Sequence, residues 1–360
     1  MFSILFNDSS WPGQLFEMFR SKKQNCFGWC LVLVGLRMVV GASVRTASQT
    51  MINAGLHGLS PRKYQAITED GYQLGVYRLQ PPGWTRGVVL LQHGIRQSSA
   101  DWLVIDRNLP QQLMEAGFEV WLGNSRASPE TTSHKKHPRN SESFWDFSFH
   151  EIGYYDLPAM IDTVLANSGR SQLHLVGYSE GSTASLILLS ERPSYNSKVV
   201  SLNVIAPATF MINSLIKQFA YFYETFRDSF PWNLQEIVTG SDKPMINSAK
   251  QLEHFQQLLV TGRFRQYDYG EWDNVQRYGV ERPPPYSLWR ITTPVTVHYG
   301  TADGIVPPGD VRNLAMQLHT SKRVRIVQHD FFDHRGFTMA PDAAVRVYPR
   351  IIYAIKEYSR

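Results

Sequence analysis

Six short apolar runs, each cut off by glycine, proline or a polar turn and separated by stretches of helical spacing, constrain this chain more than any other feature. Val88-Val-Leu-Leu91 leads to His93-Gly94, and Phe118-Glu-Val-Trp-Leu122 leads to Gly123-Asn-Ser-Arg126. Leu173-His-Leu-Val176 runs into Gly177, and Val199-Val-Ser-Leu-Asn-Val-Ile205 stops at Ala206-Pro207. Pro294-Val-Thr-Val297 stops near Gly300, and Val324-Arg-Ile-Val327 precedes Asp330. Near-continuous apolar runs of this length suit strands covered on both faces. Helical patterns fit at 108–116, 157–166, 182–189, 311–318 and 343–355. Strands alternating with helices predict an α/β fold, a doubly wound and mostly parallel sheet. Polar, Gly and Pro positions gather just after the strands, where open α/β sheets place their ligands.

With 43% hydrophobic and 19% charged residues, the chain has ample material for a core, which excludes a disordered protein. The formal charge is +5, from 36 Lys+Arg against 31 Asp+Glu. Arg20, Lys22, Lys23 and Arg37 against Asp8 and Glu17 put +2 of that charge in residues 1–43. The remainder is spread too thinly for a nucleic-acid binder. Residues 1–43 read as a targeting segment. Basic residues precede the apolar run Cys26–Leu36, and small residues end at Ser43. That pattern predicts a signal peptide, and hence a secreted or endolysosomal protein. The alternative is an uncleaved anchor that holds the protein at a membrane, with Arg37 snorkelling to the interface. The two cysteines, Cys26 and Cys30, and the Asn7-Asp8-Ser9 sequon all lie in this segment.

One motif carries chemistry. Gly177-Tyr178-Ser179-Glu180-Gly181 is a G-x-S-x-G between an expected strand and an expected helix, the context of a nucleophile elbow. A tight turn there lifts the serine hydroxyl above the sheet, and the glycines let neighbouring backbone come close. The plainer reading is a turn whose serine caps a helix.

A serine needs a base. α/β-Hydrolases place the acid and then the histidine downstream of the nucleophile. His254 and His319 fall in helical stretches, His298 in mid-strand and His329 at a strand end. His334 lies in a loop after the last strand and is the best-placed base. Asp303, just after the strand that ends near Gly300, is the expected orienting acid. Asp310 reads as a helix cap, while Asp330 and Asp333 read as shaping the turn before His334. In this scheme Ser179 attacks an ester carbonyl, His334 shuttles its proton and Asp303 fixes the imidazole tautomer. The backbone N–H groups of Glu180 and Ile95 would hold the oxyanion.

The motifs Leu91-Gln-His-Gly94, Trp121-Leu-Gly-Asn-Ser-Arg126, Phe144-Trp-Asp-Phe-Ser-Phe149, Tyr155-Asp-Leu-Pro-Ala159 and the elbow resemble the acid lipase family, which includes lysosomal acid, gastric and insect lipases. Thr68-Glu-Asp-Gly-Tyr72 and Met339-Ala-Pro-Asp342 agree with it, and the resemblance covers roughly residues 50–357. It implies an α/β-hydrolase domain over 50–360. It implies hydrolysis of triacylglycerols or sterol esters with no metal or organic cofactor, and a helical cap inserted at about 208–265. The substrate would be a lipid ester met at a lipid–water interface, with no obligate protein partner.

The chain departs from the family in three ways. The family elbow usually reads G-H-S-Q-G, so Tyr178 and Glu180 are changed. A carboxylate at Glu180 would oppose the oxyanion, a cost that shrinks if it points into solvent or is protonated at acid pH. The cap segment is shorter and has no cysteines, and no sequon lies outside residues 1–43. The expected cap carries an aromatic stripe from Phe210, Met211, Leu215 and Ile216 to Trp232, either a cap–core contact or an acyl-chain wall. Arg126 is expected to support a loop, Asp156 to cap a helix, and His134 and His137 to sit in a solvated loop. Two other readings remain open: a short-chain carboxylesterase, or a lipid-binding pseudoenzyme that keeps the fold.

Overall fold

The computed structural model describes residues 48–131, 133–217, 248–318 and 324–359. The chain divides into units Met1–Thr46 and Ala47–Arg360. The expected leader of residues 1–43 lies outside the described residues, as does the stripe from Phe219 to Trp232.

The strands are β1 (Arg62–Ile67), β2 (Tyr72–Leu79), β3 (Gly87–Gln92), β4 (Phe118–Gly123), β5 (Ser133–His134), β6 (Leu173–Tyr178), β7 (Val199–Ile205), β8 (Val295–Gly300) and β9 (Val324–His329). The longer helices are α1 (Gln49–Leu56), α2 (Leu109–Glu115), α3 (Leu157–Ser168), α4 (Glu180–Glu191), α5 (Ala249–Thr261), α6 (Glu271–Tyr278), α7 (Pro308–Gln317) and α8 (Tyr348–Lys356). Among the described residues the sheet runs β1-β2-β4-β3-β6-β7-β8-β9, with β5 beside β2. From β4 to β9 every pairing is parallel. All six expected strands are present in this block.

Along β3 the side chains alternate between two cores. Val88 and Leu90 join a cluster with Met160 and Val164 of α3 and Leu314 of α7. Val89 and Leu91 join one with Leu109 and Leu113 of α2 and Ile351 and Ile355 of α8. Successive strand residues point to opposite faces, so a continuous apolar run needs helices on both sides.

The antiparallel β1–β2 hairpin was not foreseen. Its turn is held by Thr68 Oγ1, which accepts from Gly71 N at 3.1 Å and Tyr72 N at 2.8 Å. β1 is a largely exposed edge strand, so it lacks the continuous apolar signature of a buried one. The helix expected over 343–355 is broken into Ala343–Arg346 and α8. Pro349 has no N–H to extend the first piece, and it sits in the opening turn of the second.

Connections from β3 run to β4 on one side, while β6 pairs on the other. The ends of β3 and β6 therefore form the switch point where such sheets open a crevice. The link from β7 to β8, residues 206–294, contains α5 and α6.

Candidate active site

Ser179 stands between β6 and α4 at φ 52°, ψ −115°, a strained backbone for a side-chain-bearing residue. Its N–H donates to Ile205 O at 2.8 Å. The strain is held by close packing. A Cβ on Gly177 would press into Gly181 and Ser182 backbone, and one on Gly181 into the Gln92 and His93 carbonyls. Ser182 Oγ ties the turn further by donating to Gly177 O at 2.7 Å. Ser179 Oγ is thereby lifted away from its own helix, where no side-chain cap bond forms.

Two other loops converge on it. His334, after β9, places Nε2 2.9 Å from Ser179 Oγ and Nδ1 2.9 Å from Asp303 Oδ2. Asp303, after β8, is buried. Its Oδ1 accepts from Ile305 N at 2.9 Å and Val306 N at 2.8 Å, which fixes the carboxylate plane. Ser179, His334 and Asp303 thus form a continuous hydrogen-bonded line at the carboxyl ends of three parallel strands. Opposite them, a Cβ on Gly94 would stand 3.1 Å from Ser179 Cβ, so the loop bearing Ile95 abuts the serine. Glu180 opens α4, and the first N–H groups of a helix have no carbonyl within it.

The other expected candidates stay apart from this line. His254 Nε2 meets Arg265 O at 3.0 Å, and its ring stacks on Phe149. His298 and His329 form a buried pair at 3.2 Å between β8 and β9. His319 lies outside the described residues. Asp333 Oδ1 accepts from Gly336 N at 2.7 Å, as a turn-shaping residue should. Asp310 is not a cap: it sits inside the first turn of α7 and accepts from Asn213 N and Nδ2. Nor is Asp156. No side-chain cap bond forms there, and its carboxylate takes three hydrogen bonds from Arg126, whose guanidinium also grips Asp70. Both assignments failed because a carboxylate near a helix start looks the same in sequence whichever donor it serves. His134 spends its ring nitrogens on Asp70 O, Lys136 N and His137 N.

Sequence reasoning missed two contacts. Tyr178 OH donates to His334 O at 2.6 Å, tying the histidine loop to the elbow. Glu180 is buried and accepts a hydrogen bond from Gln251 Nε2 of α5. Burial pushes the Glu180 carboxyl up to about 8; the Gln251 bond lowers it and the Asp156 charge adds to the rise. Of the two conditions under which Glu180 would spare the oxyanion, solvent exposure is excluded, and burial favours the protonated form. Neither contact has a local signal, since the partners are 156 and 71 residues apart.

A family model described as the α/β-hydrolase fold matches residues 87–334, and one described as a partial α/β-hydrolase lipase region matches residues 50–106. Lipase 1 of Drosophila melanogaster is 32% identical over 345 residues, covering 83% of this chain and 77% of that protein. The chain belongs to the acid lipase family of α/β-hydrolases. Human gastric triacylglycerol lipase is 30% identical over 361 residues, covering 83% of this chain and 89% of its own length. Among solved structures, a monoglyceride lipase from Saccharomyces cerevisiae superposes with a TM-score of 0.57 at 16% identity, covering 84% of this chain and 96% of that one. That likeness concerns the fold alone. As an acid lipase family member, the protein is a serine ester hydrolase.

Proposed function

We propose that the protein hydrolyses neutral lipid esters, triacylglycerol or sterol ester, at a lipid–water interface, and that Ser179, His334 and Asp303 do the chemistry. The observation that carries the reading is the line Ser179 Oγ–His334 Nε2–His334 Nδ1–Asp303 Oδ2, both bonds 2.9 Å, beneath a strained serine. Ser179 Oγ attacks the ester carbonyl while His334 takes its proton. His334 then protonates the leaving alkoxide, and a water activated by the same imidazole releases the acyl group. Asp303 holds the tautomer with the Nε2 lone pair toward the serine and steadies the imidazolium. The Ile95 and Glu180 N–H groups stabilise the tetrahedral oxyanion, each worth roughly 3–4 kcal/mol. This chemistry calls for no metal or organic cofactor. The neutral-lipid substrate rests on kinship with a gastric triacylglycerol lipase. Residues 1–43 would direct the enzyme to the secretory route, either cleaved as a signal or kept as an anchor. Among the described residues no helix is long and apolar enough to cross a membrane.

The test is turnover of esters graded from short to long acyl chain at pH 5 and 7.5, with Ser179→Ala alongside. Ser179-dependent rates that rise with chain length are expected, and the alanine variant should fall on the order of 10⁶-fold in kcat. A short-chain maximum would instead make this a carboxylesterase. A wild type no faster than Ser179→Ala on every ester would leave a lipid-binding protein.

A further inference from the structure

The Glu180 side chain stands at the junction of the elbow and α5. Its carboxyl accepts from Gln251 Nε2, in the opening turn of a helix 71 residues further along. That turn has other moorings. Gln251 N donates to Ser248 Oγ at 3.2 Å, Ser248 Oγ donates to Phe147 O, and Lys250 Nζ pairs with Asp146 at 3.1 Å. These hold α5 to the 146–148 stretch. The Glu180 bond ties it to the residue that follows Ser179.

We propose that Glu180 is a positioning residue that fixes the opening turn of α5 beside Ser179 through Gln251, and that ester turnover depends on its staying uncharged. The inference rests on the serine-hydrolase reading given above. A glutamine at this position would make the same bond without any charge. Glutamate makes it neutral only as the acid.

The surroundings favour the acid form. From the turn Ile152–Asp156, the acting charge is that of Asp156, already met by Arg126. From α5, Lys250 is paired with Asp146, and burial drives His254, one turn beyond Gln251, down to about 3 and so keeps it neutral. At the end of β3, burial likewise lowers His93. On the elbow side, His334 is engaged with Asp303. Gln251 Oε1 is buried with no hydrogen-bond partner among the described residues. With the Gln251 amide turned over, the O–H of the acid form would donate to this oxygen in place of the bond from Nε2. An ionised Glu180 would bring a buried negative charge within one residue of Ser179. That charge would oppose the oxyanion at the backbone N–H that receives it.

The experiment measures pH–rate profiles from 6 to 10 on a neutral soluble ester. It uses the full chain as wild type, Glu180→Gln, Glu180→Ala, Gln251→Ala and Ser179→Ala. Hydrogen exchange of the 249–261 amides is followed on the same proteins. Wild-type kcat/KM should fall above pH ~8, by roughly tenfold per pH unit at the limit. In Glu180→Gln this alkaline fall should shrink to about twofold or less between pH 7 and 9. Glu180→Ala and Gln251→Ala should exchange the opening α5 amides about tenfold faster or more, and Glu180→Gln should restore protection. An unchanged alkaline fall in Glu180→Gln, or unchanged α5 exchange in Gln251→Ala, overturns the proposal. If wild type is no faster than Ser179→Ala, the hydrolase reading fails and the dependence of turnover on Glu180 fails with it. The exchange data still decide whether the tie exists.

Discussion

A Cβ on Gly300 would overlap the carbonyl oxygen of Phe332, so the Asp303 loop and the His334 loop meet with only a hydrogen atom between them. The same carbonyl accepts from Ala302 N at 3.1 Å. Gly300→Ala should force the loops apart and lengthen the Asp303–His334 bond. Overpacking of this kind costs about 1–3 kcal/mol, and misplacement of a base by an ångström costs on the order of 10²-fold in rate. A thermal melt and kcat/KM on one ester check both. Wild-type values in the variant would mean that the loops are held apart from this contact.

Tyr178→Phe removes one hydroxyl and keeps the ring beside Trp102 and His334. The His334 carbonyl loses its donor, which should cost about 1 kcal/mol of stability. Because the lost bond holds the loop of the proposed base, kcat should fall several-fold while KM moves little. A fall confined to Tm, with kcat intact, would reduce Tyr178 to packing.

Asp303→Asn should leave the protein folded, since Oδ1 still accepts from Ile305 N and Val306 N. The amide can donate to His334 Nδ1, which stabilises the wrong tautomer. A loss of about 10⁴-fold in kcat is expected. Activity within tenfold of wild type would remove Asp303 from the proposed triad.

Burial lowers the imidazoles of His174 and His329 to about 4 and His254 to about 3, and His298 lies well below its usual value. The unfolded chain binds their protons near pH 6.5 and the folded chain does not. Stability is therefore full above pH 6.5 and drains away as pH falls toward 4, by about 3 kcal/mol per ring. Urea midpoints at pH 7 and 4.5 measure this. A midpoint that is flat over that interval would show the rings to be protonated inside the fold.

Arg126 is buried with Asp156 and also holds Asp70, and its guanidinium lies 4.1 Å from the Tyr72 ring centroid. Arg126→Met should destabilise by about 3–5 kcal/mol, because Asp156 is left buried and uncompensated. Arg126→Met with Asp156→Leu should recover part of that loss. If the double variant is no better than the single, lost packing and not lost charge explains the cost.

The sheet was legible because each buried strand announces itself over four to seven residues and the elbow fixes a strand–turn–helix around Ser179. The order of nucleophile, acid and base then singled out Asp303 and His334, which meet at 2.9 Å. The β1–β2 hairpin escaped because an exposed edge strand has no continuous apolar run. Asp156 and Asp310 were misread as caps because a helix start is visible in sequence, whereas the arginine or asparagine that arrives from another element is not.

The sequence by itself determined the alternation of elements and the chain order of the proposed nucleophile, acid and base, since these depend on residue type and spacing within each element. Tertiary structure decided the burial of Glu180, its bond to Gln251 and the anchoring of His334 by Tyr178. A carboxyl's charge depends on how much water the surrounding elements exclude, and only the folded arrangement brings those elements together.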